Sequence, residues 1–111
     1  MLLTEYDIEC LKQARAIIDR NNSQHHSIGD IAHSVGMGAT KLKAGFKQYY
    51  GSGLYTYLRA QRMLLALQLL QDRNKTIKTI AKAAGFTYTS NFTNAFKKRF
   101  GITPGKKRRL L

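Results

Sequence analysis

Asn94 and Lys43 carry the most specific hydrogen-bonding chemistry in this chain. A carboxamide pairs bidentately with adenine N6 and N7, and an ammonium reaches guanine O6 and N7. Each residue falls in a helical stretch with one apolar side. With Leu42 and Phe46 turned inward, the outward positions are Ala39, Thr40, Lys43, Ala44 and Lys47. With Phe92 and Phe96 inward, they are Tyr88, Thr89, Thr93, Asn94 and Lys97. Neither face carries an acid, which a nearby phosphate would repel. Small and polar residues near each helix start permit close approach to base edges, and Thr40 or Thr89 suits a thymine methyl. Lys47, Lys75, Lys78, Lys97, Lys98 and Arg99 read as phosphate partners, which position a protein without reading sequence. Singly, any of these residues reads equally well as a solvated surface position. The charge balance and an internal repeat argue for the set.

Other chemistry finds little support. His25, His26 and His33 lie near one another, but no cysteine or carboxylate cluster completes a metal site. There is no Gly-rich phosphate loop and no nucleophile motif. The chain has six carboxylates, five of them within the first 30 residues. No catalytic residue, cofactor or metal is therefore expected, and the protein is read as not an enzyme.

The elements that must position the two faces read as helices. Ile8, Leu11, Ala14, Ile17 and Ile18 recur at helical spacing over residues 4–20, with Thr4 placed as N-cap and Asp7 as first-turn acid. Residues 21–27 are polar and read as a loop. A short helix follows with Ile28, Ile31, Ala32 and Val35 on one face, and Gly36-Met37-Gly38 stops it. The next helix runs to about Tyr50, with Leu42, Phe46 and Tyr49 or Tyr50 inward, and Gly51 ends it. Residues 53–72 form one long helix with Leu54, Leu58, Met63, Leu65, Ala66, Leu69 and Leu70 available for packing.

Then the pattern returns. Ile77-Lys-Thr-Ile-Ala-Lys-Ala-Ala-Gly-Phe86 echoes Ile28-Gly-Asp-Ile-Ala-His-Ser-Val-Gly-Met37 at an offset of 49. Phe92, Phe96, Phe100 and Gly101 echo Leu42, Phe46, Tyr50 and Gly51 at an offset of 50, so the second turn holds one more residue. Each copy is a short helix, a glycine turn and a longer helix, the helix-turn-helix form whose second helix enters the major groove. Ala32 and Ala81 suit the close helix crossing, Gly36 and Gly85 the turn, and Met37 and Phe86 the apolar plug behind it.

Nineteen Lys+Arg face six Asp+Glu, a formal net charge of +13. Residues 1–30 hold five acids and three bases, whereas residues 31–111 hold sixteen bases and only Asp72. Such a field suits a polyanion, with nucleic acid the first candidate and an anionic membrane surface the second. Solubility alone does not require that asymmetry. RNA-binding sheets need exposed aromatic platforms, whereas the phenylalanines here fall on inward faces. No apolar run approaches the roughly 20 residues of a membrane span, and the acidic N-terminal stretch lacks a signal-peptide core. A cytoplasmic location is expected, and the lone Cys10 agrees with it.

With both units placed, the sequence resembles the DNA-binding domain of the AraC/XylS family of bacterial transcription regulators. The matching residues are Ile31-Ala32 and Ile80-Ala81, Leu42-x-x-x-Phe46-Lys47, Tyr57-Leu58-x-x-x-Arg62-Met63-x-x-Ala66-x-x-Leu69-Leu70, Gly85-Phe86, and Asn91-Phe92-x-x-x-Phe96-Lys97-Lys98-x-Phe100-Gly101-Ile102-Thr103-Pro104. They cover the chain from about residue 7 to 109. The resemblance implies an all-α, seven-helix fold with two helix-turn-helix lobes, at 1–52 and 73–111, joined by a long central helix at 53–72. It implies sequence-specific binding of double-stranded DNA by two recognition helices in adjacent major-groove segments, with bending of the duplex. It maps the groove-facing positions onto Thr40, Lys43 and Ala44 and onto Thr89, Ser90, Thr93 and Asn94.

The chain departs from the family where Ala44 and Asn94 replace a frequent arginine, and where Gly38 and Gly45 enter the first recognition helix. Gly45 in a helix interior costs about 1 kcal/mol relative to alanine, which suggests a less rigid helix. Leu64 and Leu67 lie off the apolar face of the long helix. They read as partly packed in one lobe, as tolerated surface leucines, or as a patch for a partner. Arg62 is expected to bridge internally, to helix carbonyls or to a carboxylate such as Asp30, with phosphate the second choice. The basic run Lys106-Lys107-Arg108-Arg109 reads as a frayed end. Most family members attach this domain to an effector-binding or dimerisation domain, and some stand alone. The chain is read as the C-terminal domain of a larger ligand-responsive regulator, with a stand-alone regulator as the alternative. RNA polymerase is a further candidate partner.

Overall fold

The computed structural model describes residues 1–20 and 27–111. The loop expected over 21–27, with His25 and His26, lies outside the described residues except for Ser27. The described residues form seven helices and no strand: α1 Glu5–Asp19, α2 Ile28–Val35, α3 Ala39–Tyr50, α4 Leu54–Leu69, α5 Ile77–Ala83, α6 Thr89–Phe100 and α7 Pro104–Leu110. They divide into two compact units, with the boundary inside α4 between Gln61 and Arg62.

Most helix starts are set by local side chains. Thr4, Ser27, Thr76 and Thr103 each accept a hydrogen bond from the backbone N–H three residues on, which satisfies a donor the helix itself leaves open. Asp7 and Asp30 return the contact to the N–H of Thr4 and Ser27, completing two capping boxes.

In the first unit, Leu11, Ala14, Ile31, Leu42 and Phe46 are fully buried, with Ile18, Val35, Met37, Leu54 and Leu58 around them. Asp7 is the buried charged residue of this unit; its Oδ1 lies 3.0 Å from Lys41 Nζ. The backbone N–H of Thr4 and the Lys41 ammonium hold its carboxyl below the ordinary aspartate range. Arg15 lies over the rings of Tyr50 (4.8 Å) and Tyr57 (5.2 Å), and the Tyr57 hydroxyl donates to Asp19. Gly45 is buried, and a Cβ there would meet Leu3 at 3.4 Å and Leu11 at 3.5 Å. Packing of Leu3, and of Leu11 from α1, against α3 thus supports the helix where its intrinsic propensity is weakest.

In the second unit, Phe92, Phe96, Ile80, Ala66 and Leu70 are fully buried, with Met63, Ala81 and Ala84 beside them. Phe86 meets Phe92 edge to face, and Phe92, Phe96 and Phe100 follow one another in tilted contacts, with centroids 4.6–5.8 Å apart along the series. Helix α4 ends at Leu69, short of the expected residue 72. Asp72 Oδ1 accepts from the Asn74 N–H, which favours a turn over another helical residue. The Arg108 guanidinium donates to the carbonyls of Leu70 (3.1 Å) and Asp72 (3.3 Å). A cation here satisfies carbonyls that the end of α4 leaves open. The basic run is therefore not a frayed end: residues 104–110 form α7, started by Thr103 and Pro104. Leu67 packs on this core and Leu64 is exposed.

The two turns agree with their sequence signature. Gly36 (φ 74°) and Gly85 (φ 90°) take left-handed conformations that a side chain resists, between buried Ala32 and Met37 and between Ala81 and Phe86. The Arg62 side chain crosses the second turn, with Nη1 2.8 Å from where a Gly85 Cβ would stand. Gly85→Ala should lower unfolding free energy by about 1–3 kcal/mol in urea titrations followed by circular dichroism. A change within a few tenths would contradict this account. Because the Asp7 pKa is depressed on folding, its contribution is present above the ordinary aspartate pKa of about 3.9 and lost as pH falls through that value and below. Asp7→Asn should therefore destabilise at neutral pH and flatten the acid limb of the stability curve. An unchanged acid limb would refute that assignment.

Candidate nucleic-acid interface

A twelve-residue helix is marginal in water by itself, so α3 and α6 owe their stability to the face they bury. In α3 that face is Leu42, Gly45 and Phe46; in α6 it is Phe92 and Phe96. The opposite faces point to solvent. On α3, Thr40, Lys43, Ala44 and Lys47 are all exposed, as expected. On α6, Ser90, Asn94, Lys97 and Lys98 are exposed, whereas Thr89 and Thr93 are half-buried. The α6 face thus centres nearer Ser90 and Asn94 than the threonines. Arg99 is exposed but sits about 200° around the helix from Lys97, on the side of Phe92, so it does not share that face. Lys78 is exposed on α5, and Lys75 is half-buried just before it.

Two further exposed carboxamides that the sequence reading did not single out lie beside these faces, and that of Gln48 donates to the Met1 carbonyl. Gln48 follows Ala44 by one turn on α3, and Asn91 precedes Asn94 by three residues on α6. The helical spacing itself was the available signal. Tyr88, the N-cap of α6, is 65% exposed and makes no side-chain cap. Lys41, also exposed on α3, is held by Asp7.

The electrostatics are one-sided. The first turns of α3 and α6 contain no acid. All four aspartates among Asp7, Asp19, Asp30 and Asp72 are engaged by nearby groups: Asp7 and Asp30 in capping boxes, Asp19 by Arg15 and Tyr57, Asp72 by the Asn74 N–H. The second unit holds twelve Lys/Arg against Asp72 alone, and the first holds seven against five acids. Among the described residues no group of three His, Cys, Asp or Glu is placed to hold a metal ion. No helix among them is long and apolar enough to cross a membrane.

Two helix-turn-helix units, each with an acid-free, cation-bearing second helix turned to solvent, define a DNA-binding class of protein. The model of the helix-turn-helix domain family matches residues 24–110. Over 98 residues the chain is 31% identical to the HTH-type transcriptional regulator ExsA of Pseudomonas aeruginosa, covering 88% of this chain and 35% of that protein. It is 35% identical to the probable transcription factor PqrA of Proteus vulgaris, covering 88% of this chain and 79% of that one. The crystal structure of a transcriptional regulator with an AraC-type DNA-binding domain from Chromobacterium violaceum superposes with a TM-score of 0.78 at 32% identity, over 96% of this chain and 95% of that one. The DNA-binding domain of AdpA, solved in complex with a target DNA, shares the fold, with a TM-score of 0.78 at 21% identity over 90% of each chain. The chain belongs to the AraC-type helix-turn-helix family of DNA-binding domains. It spans about a third of the length of ExsA (35%) and of the next curated relatives (36%).

Proposed function

We propose that this chain recognises specific double-stranded DNA sequences with α3 and α6 in adjacent major-groove segments, and so regulates transcription. The observation that carries this reading is the pair of exposed, acid-free faces on helices anchored by buried phenylalanines. Base contacts fall to Thr40, Lys43 and Ala44 on α3 and to Ser90 and Asn94 on α6. Thr89 and Thr93 contribute from the flank. Lys47, Lys75, Lys78, Lys97 and Lys98 engage phosphates, and Arg99 reaches a phosphate only outside the plane of the other α6 contacts.

The protein acts in the cytoplasm as a binder rather than an enzyme. The chain's match to only 35% of ExsA supports reading it as the C-terminal domain of a larger regulator; a ligand-responsive effector or dimerisation domain and RNA polymerase complete that proposal as partners. The 79% coverage of PqrA favours the second reading, a stand-alone regulator.

Selection of bound duplexes from a random DNA pool tests the central claim: it should return two short conserved elements about one helical turn apart. Recovery without sequence enrichment, or displacement by duplex RNA as readily as by DNA, would defeat it. Asn94→Ala should relax preference at one base pair, by about 1–3 kcal/mol of discrimination. Lys97→Ala should weaken all sequences about equally and reduce the salt slope by about 1. An unchanged slope removes Lys97 from the phosphate set.

A further inference from the structure

Residues 1–7 meet α3 at three points in reverse order. The Met1 carbonyl accepts from Gln48 Nε2 at 2.7 Å. Leu3 Cδ2 lies 3.4 Å from where a Cβ on Gly45 would be. Asp7 Oδ1 lies 3.0 Å from Lys41 Nζ. Positions 41, 45 and 48 share one flank of the helix, since they are separated by one turn each. The segment before and at the start of α1 therefore runs antiparallel along α3, beside the face that bears Thr40 and Ala44.

The contact is built rather than incidental. Asp7 is 3% exposed, although capping α1 alone needs no burial. It grips α1 through the Thr4 N–H and α3 through Lys41, one carboxylate oxygen on each. Gly45 leaves the flank bare, so that the leucine side chains of residues 3 and 11 reach the helix surface. Base readout requires a helix held to about 0.5 Å and 10–20°. Leu42 and Phe46 resist lifting of α3 from its core, and contacts on one flank resist its rolling and sliding.

We infer that residues 1–7 form a strap that sets the orientation of α3 for base reading, with Asp7 and Leu3 as positioning residues. This rests on the reading of α3 as a base reader given above. Lys43→Ala and Asn94→Ala serve as markers of the base pairs read by α3 and α6.

Asp7→Asn and, because that variant risks unfolding, the milder Leu3→Ala are compared with the parent by selection from the random duplex pool and by salt titration. Discrimination at the positions altered by Lys43→Ala should fall about threefold or more, as a misplaced contact loses part of its bidentate geometry. Preference at the positions altered by Asn94→Ala and the salt slope should stay as in the parent. A uniform loss of affinity across all sequences, or parental preference in a folded Leu3→Ala protein, overturns the strap while leaving α3 a reader. If Lys43→Ala itself changes no preference, both the reading and the strap fall.

Discussion

Everything on the binding surface depends on one constraint: neither recognition helix is stable until one side of it is buried. Phe46, Phe92 and Phe96 are each fully removed from solvent, and burial of such a side chain is worth about 1.5–3 kcal/mol. Once these rings are placed, the 3.6-residue period leaves no choice about which residues face outward. The glycine turns and the small residues at the helix crossings serve that placement. They bring the first helix of each unit close enough to complete the pocket that the rings fill.

The charged groups divide between structure and surface. The aspartates start helices, close turns or pair with neighbours, and none of them lies on α3 or α6. Some cations are engaged in the same way: Arg108 satisfies carbonyls beyond α4, Lys41 is held by Asp7, and Arg15 lies on two tyrosine rings. The count of nineteen Lys and Arg thus overstates the number of cations ready to displace counterions.

Much of this was legible in the sequence because it follows from periodicity. The duplicated Ile-x-x-Ile-Ala pattern, with Leu42-x-x-x-Phe46 answered by Phe92-x-x-x-Phe96, identified both units, their turns and their inward faces, and Thr4 marked the first helix start. What was missed depends on long-range contacts. Thr89 and Thr93 lie at the edge of the α6 face, where a shift of half a residue step decides burial. The end of α4 and the order of α7 both involve Arg108, 38 residues from Leu70 in sequence. Gly45 looked like a weakness of α3 and proved to be where leucines from the N-terminal region seat. Lys41 looked like any other exposed lysine, because its partner is a buried residue on a different helix.

The crowding of cations in the second unit gives dissolved electrolyte two opposed effects. Twelve basic side chains against one acid repel one another across a small body, so dilute buffer strains that unit most. Adding salt shortens the reach of the repulsion and steadies the unit, while the same ions loosen its hold on a polyanion. The ionic strength at which the isolated molecule is most robust is consequently not the one at which it clings most tightly.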